Sequence, residues 1–331
     1  MERLQKLYKE WRGSESSECA LLAASGSARR YYRMDGGVIG CIGTSAAENR
    51  AFFAVDKAVL GSGLHAPKVY AVSEDDMVYL QEDLGEGQLY AMLVQDGLSD
   101  GNMALLKRTM QLLPVLQVGV GKQLDWSVCF PDRELNARMV DFDLNYFKYD
   151  FLKFTGIEFN EIRLQDCFDA LKADALDYAG DTFMYRDFQA RNVMVSGSEP
   201  CFIDFQGGRR GPGEYDLASF LWNAGTHFSA DVRHVLELEY LSALKTVTEV
   251  DEEAFWKRYH TMIFLRLLQE TGAYGFRGII ERKPHFLECI PLVLKSFLEL
   301  PNTYPYLCDV LRRLATEWDG TTNLPGLKIQ L

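Results

Sequence analysis

Residues 185–207 constrain the fold and chemistry of this 331-residue chain more than any other segment. They read Tyr-Arg-Asp-Phe-Gln-Ala-Arg-Asn-Val-Met-Val and, after a short turn, Cys-Phe-Ile-Asp-Phe-Gln-Gly. An aspartate that accepts a hydroxyl proton, with an Asn/Asp pair that offers oxygen ligands to magnesium, is the set of groups that phosphoryl transfer requires. The segment therefore suggests Asp187 as the catalytic base and Asn192 and Asp204 as ligands of Mg²⁺.

Each of these side chains also has a purely structural interpretation. Aspartates commonly cap turns and end strands, and Asp187 and Asp204 are placed where either role is possible. The joint spacing and the flanking apolar residues favour the functional interpretation. The strand-like runs 192–195 and 200–205 are separated by Ser-Gly-Ser, and the resulting hairpin is expected to present Asn192 and Asp204 at opposite ends on the same side.

The spacing resembles the protein kinase catalytic loop, Asp-x-x-x-x-Asn followed by Asp-Phe-Gly, with Tyr185 in place of His and Gln206 in place of Gly. Residues 207–221 look like the segment that follows the metal aspartate in the aminoglycoside phosphotransferase and choline kinase-type family. Residues 27–33, 130–135 and 209–217 are most similar to the bacterial kinases that phosphorylate the anomeric hydroxyl of N-acetylmuramate and N-acetylglucosamine.

The resemblance, together with the pattern of elements, predicts an α+β fold of the two-lobed protein-kinase-like type. A small, mainly antiparallel β N-lobe is expected over residues 1–80, a hinge over 81–87, and a larger, mainly α-helical C-lobe over 88–331. The hinge segment is polar and contains glycine, as an interlobe connector should be.

Local patterns predict the elements of the N-lobe. Apolar residues at helical spacing indicate a helix over 2–12, and Asp-Gly-Gly between two β-prone runs indicates a hairpin with strands at 31–34 and 38–42. A further helix is expected over 45–61. Two more strands are expected at 68–72 and 77–81.

The C-lobe pattern is predominantly helical. Helices are predicted over 103–120, 134–152, 164–179, 214–224, 230–246, 252–273 and 285–298. Pro114 is expected to kink or end the first of them, because proline removes a backbone donor and clashes with the preceding turn.

Nucleotide binding is assigned to two segments. The first segment has small residues, which expose backbone N–H groups to phosphate, and adjacent cations. It comprises Ser25, Gly26, Ser27, Ala28, Arg29 and Arg30. The alternative is that this segment is an ordinary hairpin. The second is the hinge, where backbone groups of Gln81, Glu82 and Asp83 are expected to bind adenine. If residues 29–33 form a strand, Arg29 and Arg30 cannot both point inward.

The strand at 38–43 occupies the place where many kinases carry Val-Ala-Ile-Lys, and it contains no lysine. The usual lysine–glutamate pair is therefore absent, although Glu48 is nearby. Two explanations remain open: an arginine from residues 29–33 substitutes for the lysine, or nucleotide affinity is low. A nucleotide-sensing pseudokinase or scaffold is the corresponding alternative function.

Five residues are candidates for binding the acceptor substrate. They are Gln189, Arg210, Gln269, Tyr274 and Arg277. Arg209 and Arg210 alternatively form a solvated basic pair, and most aromatic residues of the C-terminal region belong to the core. Asp216 matches a family aspartate thought to brace the catalytic loop, and we assign it a structural role.

Composition narrows the function classes. The net charge of −12 argues against nucleic acid as a partner, although Mg²⁺ or a local cation cluster permits an anionic nucleotide. The sequence contains no run of 18 apolar residues, the length that a membrane-spanning helix requires. Its seven cysteines are scattered, which favours a reduced, cytoplasmic protein. The predicted reaction transfers a phosphoryl group from ATP to a small hydroxyl-bearing acceptor, a cell-wall amino sugar; an aminoglycoside or a choline-like alcohol is the alternative acceptor.

Overall fold

A computed structural model describes residues 1–22, 29–178, 180–324 and 326–329. The chain forms two compact units. The first consists of Met1–Glu134, Asp181–Gly213 and Leu236–Glu249, and the second of Leu135–Gly180, Glu214–Val235 and Val250–Leu331. The first unit thus contains the predicted N-lobe, the predicted hinge and the whole catalytic segment. The predicted lobe boundaries at residues 80 and 87 stay a prediction.

Helices and strands alternate in the first part of the chain and helices dominate the rest. The α-helices are α1 (Glu2–Arg12), α2 (Ala46–Gly61), α3 (Leu89–Asp96), α4 (Asp100–Gly121), α5 (Ala137–Asp150), α6 (Glu161–Leu176), α7 (Glu214–Leu221), α8 (Ala230–Val247), α9 (Glu252–Tyr274), α10 (Pro284–Phe297) and α11 (Pro305–Glu317). The strands are β1 (Cys19–Leu21), β2 (Arg30–Met34), β3 (Val38–Ile42), β4 (Val69–Val72), β5 (Val78–Glu82), β6 (Phe183–Met184), β7 (Val193–Ser196), β8 (Glu199–Phe202) and β9 (Arg209–Arg210).

The large sheet of the first unit has the strand order β1-β2-β3-β5-β4, and every neighbouring pair is antiparallel. The predicted hairpin is confirmed: β2 and β3 pair with Tyr31 opposite Cys41. Cys41 in turn lies opposite Tyr79 of β5. Because directly paired residues share a face of the sheet, these three side chains lie on one face.

Helix α1 covers the opposite face of this sheet. Its apolar residues Leu4, Leu7 and Tyr8 form one cluster with sheet residues Tyr32, Met34, Val38, Val78 and Leu80. Gly40 of β3 is required by this packing, because a Cβ added there would lie 2.6 Å from the Cδ1 atom of Leu4. The cluster is therefore what fixes α1 on the sheet.

The second unit is helical. Helices α5 and α9 pack closely, and a Cβ added at Gly272 would lie 2.6 Å from the backbone nitrogen of Phe147. Helix α9 is also in contact with α6, α7 and α10. A π-helical turn, Gly275–Ile280, follows α9 directly. Within the residues described, none of the helices is both long and apolar enough to span a membrane.

Most predicted elements are confirmed, with small shifts at their ends. Of the two outcomes expected at Pro114, a kink or an end of the helix, the second does not occur, because α4 continues through Pro114 to Gly121. Pro114 is buried between the apolar residues Leu113 and Leu116. Burial of this segment outweighs the loss of one backbone hydrogen bond. The sequence patterns did not indicate β1, α3 or α11.

Replacing Leu4 with alanine tests the packing of α1. Leu4 is 0% exposed, so the substitution removes buried methyl groups and leaves a cavity. We expect a loss of about 2–5 kcal/mol in the free energy of unfolding, measured by urea denaturation. The matched control is Leu21→Ala, since Leu21 is 62% exposed. A loss as small as that of the control, below about 0.5 kcal/mol, would show that α1 does not depend on this contact.

Helix α2 contains a buried carboxyl group, that of Asp56. Burial and, as a smaller cause, the negative charge of Glu82 raise its pKa from the ordinary value of 3.8 to about 7. The folded protein therefore holds a proton that the unfolded chain releases at lower pH. Stability consequently falls as the pH rises from about 4 to about 7.

Asp56→Asn should remove this pH dependence, because the amide does not ionise. We expect the variant to be more stable than the wild type by roughly 2–4 kcal/mol at pH 8, and the difference to shrink towards pH 4. Urea denaturation at several pH values measures it. The exposed Asp96, changed to Asn, is the control. A difference that does not vary with pH would contradict the assignment.

Candidate active site

The catalytic segment begins directly after β6. Tyr185 is buried, Arg186 has a positive φ of 82°, and Asp187 is exposed. A positive φ in a residue with a side chain is a strained conformation that is concentrated at functional sites. A 3₁₀ turn, Ala190–Asn192, then leads into β7. This backbone turns the carboxyl group of Asp187 towards solvent while its neighbours Tyr185 and Phe188 remain in the core.

Asn192 connects the two halves of the motif. Its side-chain Nδ2 donates a hydrogen bond to the backbone oxygen of Asp187 at 2.8 Å. Its own backbone oxygen accepts from the N–H of Ile203 at 3.1 Å. Strands β7 and β8 pair with Val193 opposite Phe202, so Asn192 and Asp204 lie at the same, open end of the hairpin. The expectation that they lie at opposite ends is wrong, since the start of the first strand of a hairpin adjoins the end of the second.

Asp204 follows β8 and is exposed, with a positive φ of 67°. Its Oδ1 accepts a hydrogen bond from Nε2 of Gln206 at 2.8 Å. The pKa of the Asp204 carboxyl is raised. The main cause is loss of solvation by the surrounding protein, and the negative charge of Asp187 adds to it. The hydrogen bond from Gln206 acts in the opposite direction. The carboxylates of Asp187 and Asp204 therefore lie close enough to repel each other.

A hydroxyl and a row of aromatic rings hold Asp204 in place. The Tyr185 hydroxyl donates to the backbone oxygen of Ile203. Phe205, directly after Asp204, stacks on Phe52 of α2 with ring centroids 5.2 Å apart, and Phe52 stacks on Tyr79 at 5.3 Å. The sequence motifs identified Tyr185 only as a replacement for histidine and did not single out Phe52. The signal that could have indicated Phe52 is its position one helical turn after Glu48.

The residues at this point fit a hard divalent cation. The hydrogen bond from Nδ2 fixes the Asn192 amide, so its oxygen is the atom left to act as a ligand. A cation beside the Asp204 carboxylate would also relieve its repulsion with Asp187. Mg²⁺ prefers such oxygen ligands and keeps several waters. Among the described residues, no group of three or more His, Cys, Asp or Glu side chains could hold a metal ion.

The predicted phosphate-binding segment is only partly described. Ser25, Gly26, Ser27 and Ala28 lie outside the described residues. Arg29 is buried, and its Nη2 lies 3.1 Å from Oε1 of Glu48 in α2. Arg30 is exposed. The two arginines thus point to different sides, as the strand periodicity predicts.

The predicted hinge is tied into the sheet. The N–H of Glu82 donates to the oxygen of Lys68 at 2.9 Å, and the N–H of Asp83 donates to the oxygen of Gly37 at 3.0 Å. Arg33 binds the Asp83 carboxylate at 2.6 Å, so its charge braces the hinge rather than the phosphate-binding segment. Both N–H groups are therefore engaged, and adenine binding at the hinge stays a prediction.

Two of the predicted substrate-binding residues lie in the first unit. Gln189 is partly buried in the catalytic loop, and its backbone oxygen accepts from the N–H of Asn192 at 2.8 Å. Arg210 forms ion pairs with Glu134 and, at 3.4 Å, with Asp181. These pairs tie the loop before α5 to β9. A substrate role for Arg210 would therefore require it to share its guanidinium with these carboxylates.

The other predicted residues lie in the second unit. Tyr274 is 8% exposed and donates to Oε1 of Glu270 at 2.7 Å. Gln269 is partly buried and accepts from Arg266. Arg277 lies 3.5 Å from Glu281. Asp216 is fully buried in the first turn of α7, which agrees with a structural residue. The substrate and bracing roles of these residues stay predictions.

Comparison with solved structures shows the fold. The GDP and kanamycin complex of APH(2")-IIia has a TM-score of 0.62 at 11% identity, over 90% of this chain and 99% of that chain. Choline kinase LicA from Streptococcus pneumoniae has a TM-score of 0.58 at 11% identity, over 90% and 98% of the two chains. The predicted two-lobed, protein-kinase-like α+β fold is confirmed.

Curated relatives extend over nearly the whole chain. A protein of Neisseria meningitidis serogroup B is 25% identical over 330 residues, covering 93% of this chain and 94% of its own length. A protein of Pseudomonas putida is 26% identical over 323 residues, covering 93% and 91%. Both carry the name N-acetylmuramate/N-acetylglucosamine kinase.

The family assignment is direct. Residues 19–252 match the family described as the phosphotransferase enzyme family, and this match includes both the Arg29–Glu48 pair and the segment from Asp187 to Asp204. The resemblance inferred from the sequence motifs is confirmed. The predicted enzyme class, a kinase with an alcohol group as acceptor, is confirmed as well. The chain belongs to the phosphotransferase enzyme family.

Proposed function

We propose that this protein is a Mg²⁺-dependent kinase that transfers the terminal phosphoryl group of ATP to a hydroxyl group of a cell-wall amino sugar. The observation that carries this proposal is the link between the three motif residues. Asn192 binds the backbone of Asp187 through its side chain and the backbone of Ile203, next to Asp204, through its main chain. A base and two metal ligands are thereby held in one small region.

Asp187 is the proton acceptor in this proposal. Its carboxylate is exposed at the end of a loop, where an acceptor hydroxyl can reach it. As the hydroxyl oxygen bonds to the terminal phosphorus, the bond from phosphorus to the bridging oxygen breaks, and the hydroxyl proton passes to Asp187. The negative charge of Asp187 contributes to the raised pKa of Asp204, which supports their placement in one site.

Asn192 and Asp204 would hold Mg²⁺, which neutralises phosphate charge and orients the transferred group. Supporting this choice, the Gln206 hydrogen bond occupies Oδ1 of Asp204 and orients its carboxylate. The use of ATP is supported by the likeness in fold to the streptomycin-ATP-APH(2")-IIa ternary complex, with a TM-score of 0.54 at 12% identity. Backbone groups of the predicted hinge, Gln81 to Asp83, would form hydrogen bonds with adenine.

The amino-sugar acceptor is supported by the names of the relatives and by their coverage of at least nine tenths of this chain. The proposed acceptors are N-acetylmuramate and N-acetylglucosamine, with Gln189, Arg210, Gln269, Tyr274 and Arg277 as candidate contacts. An aminoglycoside or a choline-like alcohol remains the second acceptor class, because the solved structures of similar fold include both kinds of kinase.

Asp187→Asn tests the assignment of the base. The substitution keeps the shape of the side chain but removes its ability to accept a proton, so turnover should fall roughly 100-fold or more. The affinity for Mg-ATP, measured by calorimetry, should stay within about threefold. Asp96→Asn, a change of an exposed aspartate in the same unit, is the control and should be fully active. Equal turnover of Asp187→Asn and the wild type would show that the base is misassigned.

A panel of acceptors, followed by coupled release of ADP, tests the substrate class. We expect turnover with N-acetylmuramate and N-acetylglucosamine, and none with the methyl glycoside of N-acetylglucosamine, whose anomeric oxygen is blocked. Turnover with kanamycin or choline alone would replace the amino-sugar proposal. Tight binding of Mg-ATP without turnover on any acceptor would favour the pseudokinase alternative.

A further inference from the structure

The strand that normally supplies a phosphate-binding lysine supplies a cysteine here. Cys41 lies on β3, where Val-Ile-Gly-Cys takes the place of Val-Ala-Ile-Lys. It is fully buried and faces Tyr31 and Tyr79 on the neighbouring strands. Burial raises the pKa of its thiol to about 11, so Cys41 brings no charge to the site. The cation must therefore come from elsewhere.

Arg29 interacts electrostatically with Cys41 and Tyr31. Its Nη2 lies 3.1 Å from Oε1 of Glu48. The Arg29 side chain is 1% exposed and that of Glu48 is 24% exposed. Burial by itself lowers the pKa of Arg29, but the nearby acidic groups outweigh this effect and the net pKa is raised. The guanidinium consequently remains charged.

This ion pair is connected to the proposed metal ligand through helix α2. Glu48 lies one turn before Phe52, and Phe52 stacks on Phe205, the residue after Asp204, with ring centroids 5.2 Å apart. The carboxylates of Glu48 and Asp204 would repel an anionic nucleotide if no cation lay beside them. In a poorly solvated site a single positive charge acts strongly on phosphate.

The neighbouring arginines do not offer the same charge. Arg30 is exposed and points to the other side of the strand. Arg33 is bound to Asp83 at 2.6 Å and to Glu86 at 3.0 Å. Among the described residues of the segment 29–33, Arg29 alone is both buried and paired with α2.

We propose that Arg29 replaces the missing strand lysine and binds the phosphates of the nucleotide, with Glu48 and Tyr31 as its positioning residues. This inference rests on the proposed function, and it names the cation that takes the place of the strand lysine. Arg29 itself belongs to the segment 25–30 that the sequence assigns to nucleotide binding. Arginine suits this position because its planar group can bind a carboxylate along one edge and a phosphate along another.

Nucleotide affinity of Arg29→Met, measured by calorimetry, tests this inference. Binding of Mg-ATP and Mg-ADP should weaken about 10- to 100-fold, because charge-assisted hydrogen bonds to phosphate are lost. Binding of adenosine, which has no phosphate, should change less than threefold. Arg50→Met, at an exposed arginine of α2, is the matched control and should bind all three ligands as the wild type does.

A charge-relocation variant separates phosphate binding from a structural role. Arg29→Met/Cys41→Lys places an ammonium group on β3 in the space that the guanidinium vacates. Compared with Arg29→Met, the double variant should regain at least a third of the lost binding free energy for Mg-ATP. Cys41→Lys alone should bind Mg-ATP no more tightly than the wild type does. Loss of packing at Arg29 could not be repaired in this way. Thermal unfolding of each variant shows whether it is folded.

The outcomes distinguish the two proposals. If the wild type binds and uses Mg-ATP but Arg29→Met binds it equally well, the inference about Arg29 is wrong and the proposed function stands. If the wild type binds no Mg-nucleotide, the proposed function itself fails. If Arg29→Met does not fold, the variants Arg29→Lys and Glu48→Gln test the inference instead. The inference requires that Arg29→Lys retain affinity within about tenfold and that Glu48→Gln weaken Mg-ATP but not adenosine.

Discussion

Two hydrogen bonds made by one asparagine are the constraint on which the rest of the site depends. Asn192 holds the loop of Asp187 with its side chain and the end of the β7–β8 hairpin with its backbone. Each bond contributes only about 1 kcal/mol of net stability, so their importance is positional. Without them, a base on one loop and a carboxylate on another would move independently. Strained backbone at Arg186 and Asp204 is tolerated because these bonds and the core beneath them fix both loops.

Aromatic packing extends this constraint to helix α2. Phe52 lies one turn after Glu48 on that helix and stacks on Phe205, the residue after Asp204. Tyr79 of β5 continues the stack behind Phe52, and Tyr185 meets Phe205 edge-on at 6.1 Å. Glu48 and Asp204 are therefore carried by the same packed group of rings. A shift of α2 displaces the ion pair and the proposed metal ligand together, because close-packed interiors transmit strain.

The sequence predicts those parts of the structure whose causes are local. Asp35-Gly-Gly suffices for the β2–β3 hairpin, and the spacing from Asp187 to Asp204 suffices to bring these residues together, since one short hairpin joins them. Local rules fail at Pro114, where burial overrides the propensity of proline to end a helix. They also say nothing about which arginine of residues 29–33 meets Glu48, because that pairing depends on how α2 packs against the sheet.

The Arg29–Glu48 pair is better explained by function than by stability. Removing two charges from water costs about as much as their attraction returns, and an apolar pair of similar size often stabilises a fold equally well. Phe52 and Tyr79 stack on each other in this core, so an apolar pair there would have packing partners. The buried cation gains its value when a nucleotide arrives, because the guanidinium then offsets part of the repulsion between the phosphates and the carboxylate of Glu48. Placing that cation at the start of β2 leaves β3 free to carry the small, uncharged Cys41.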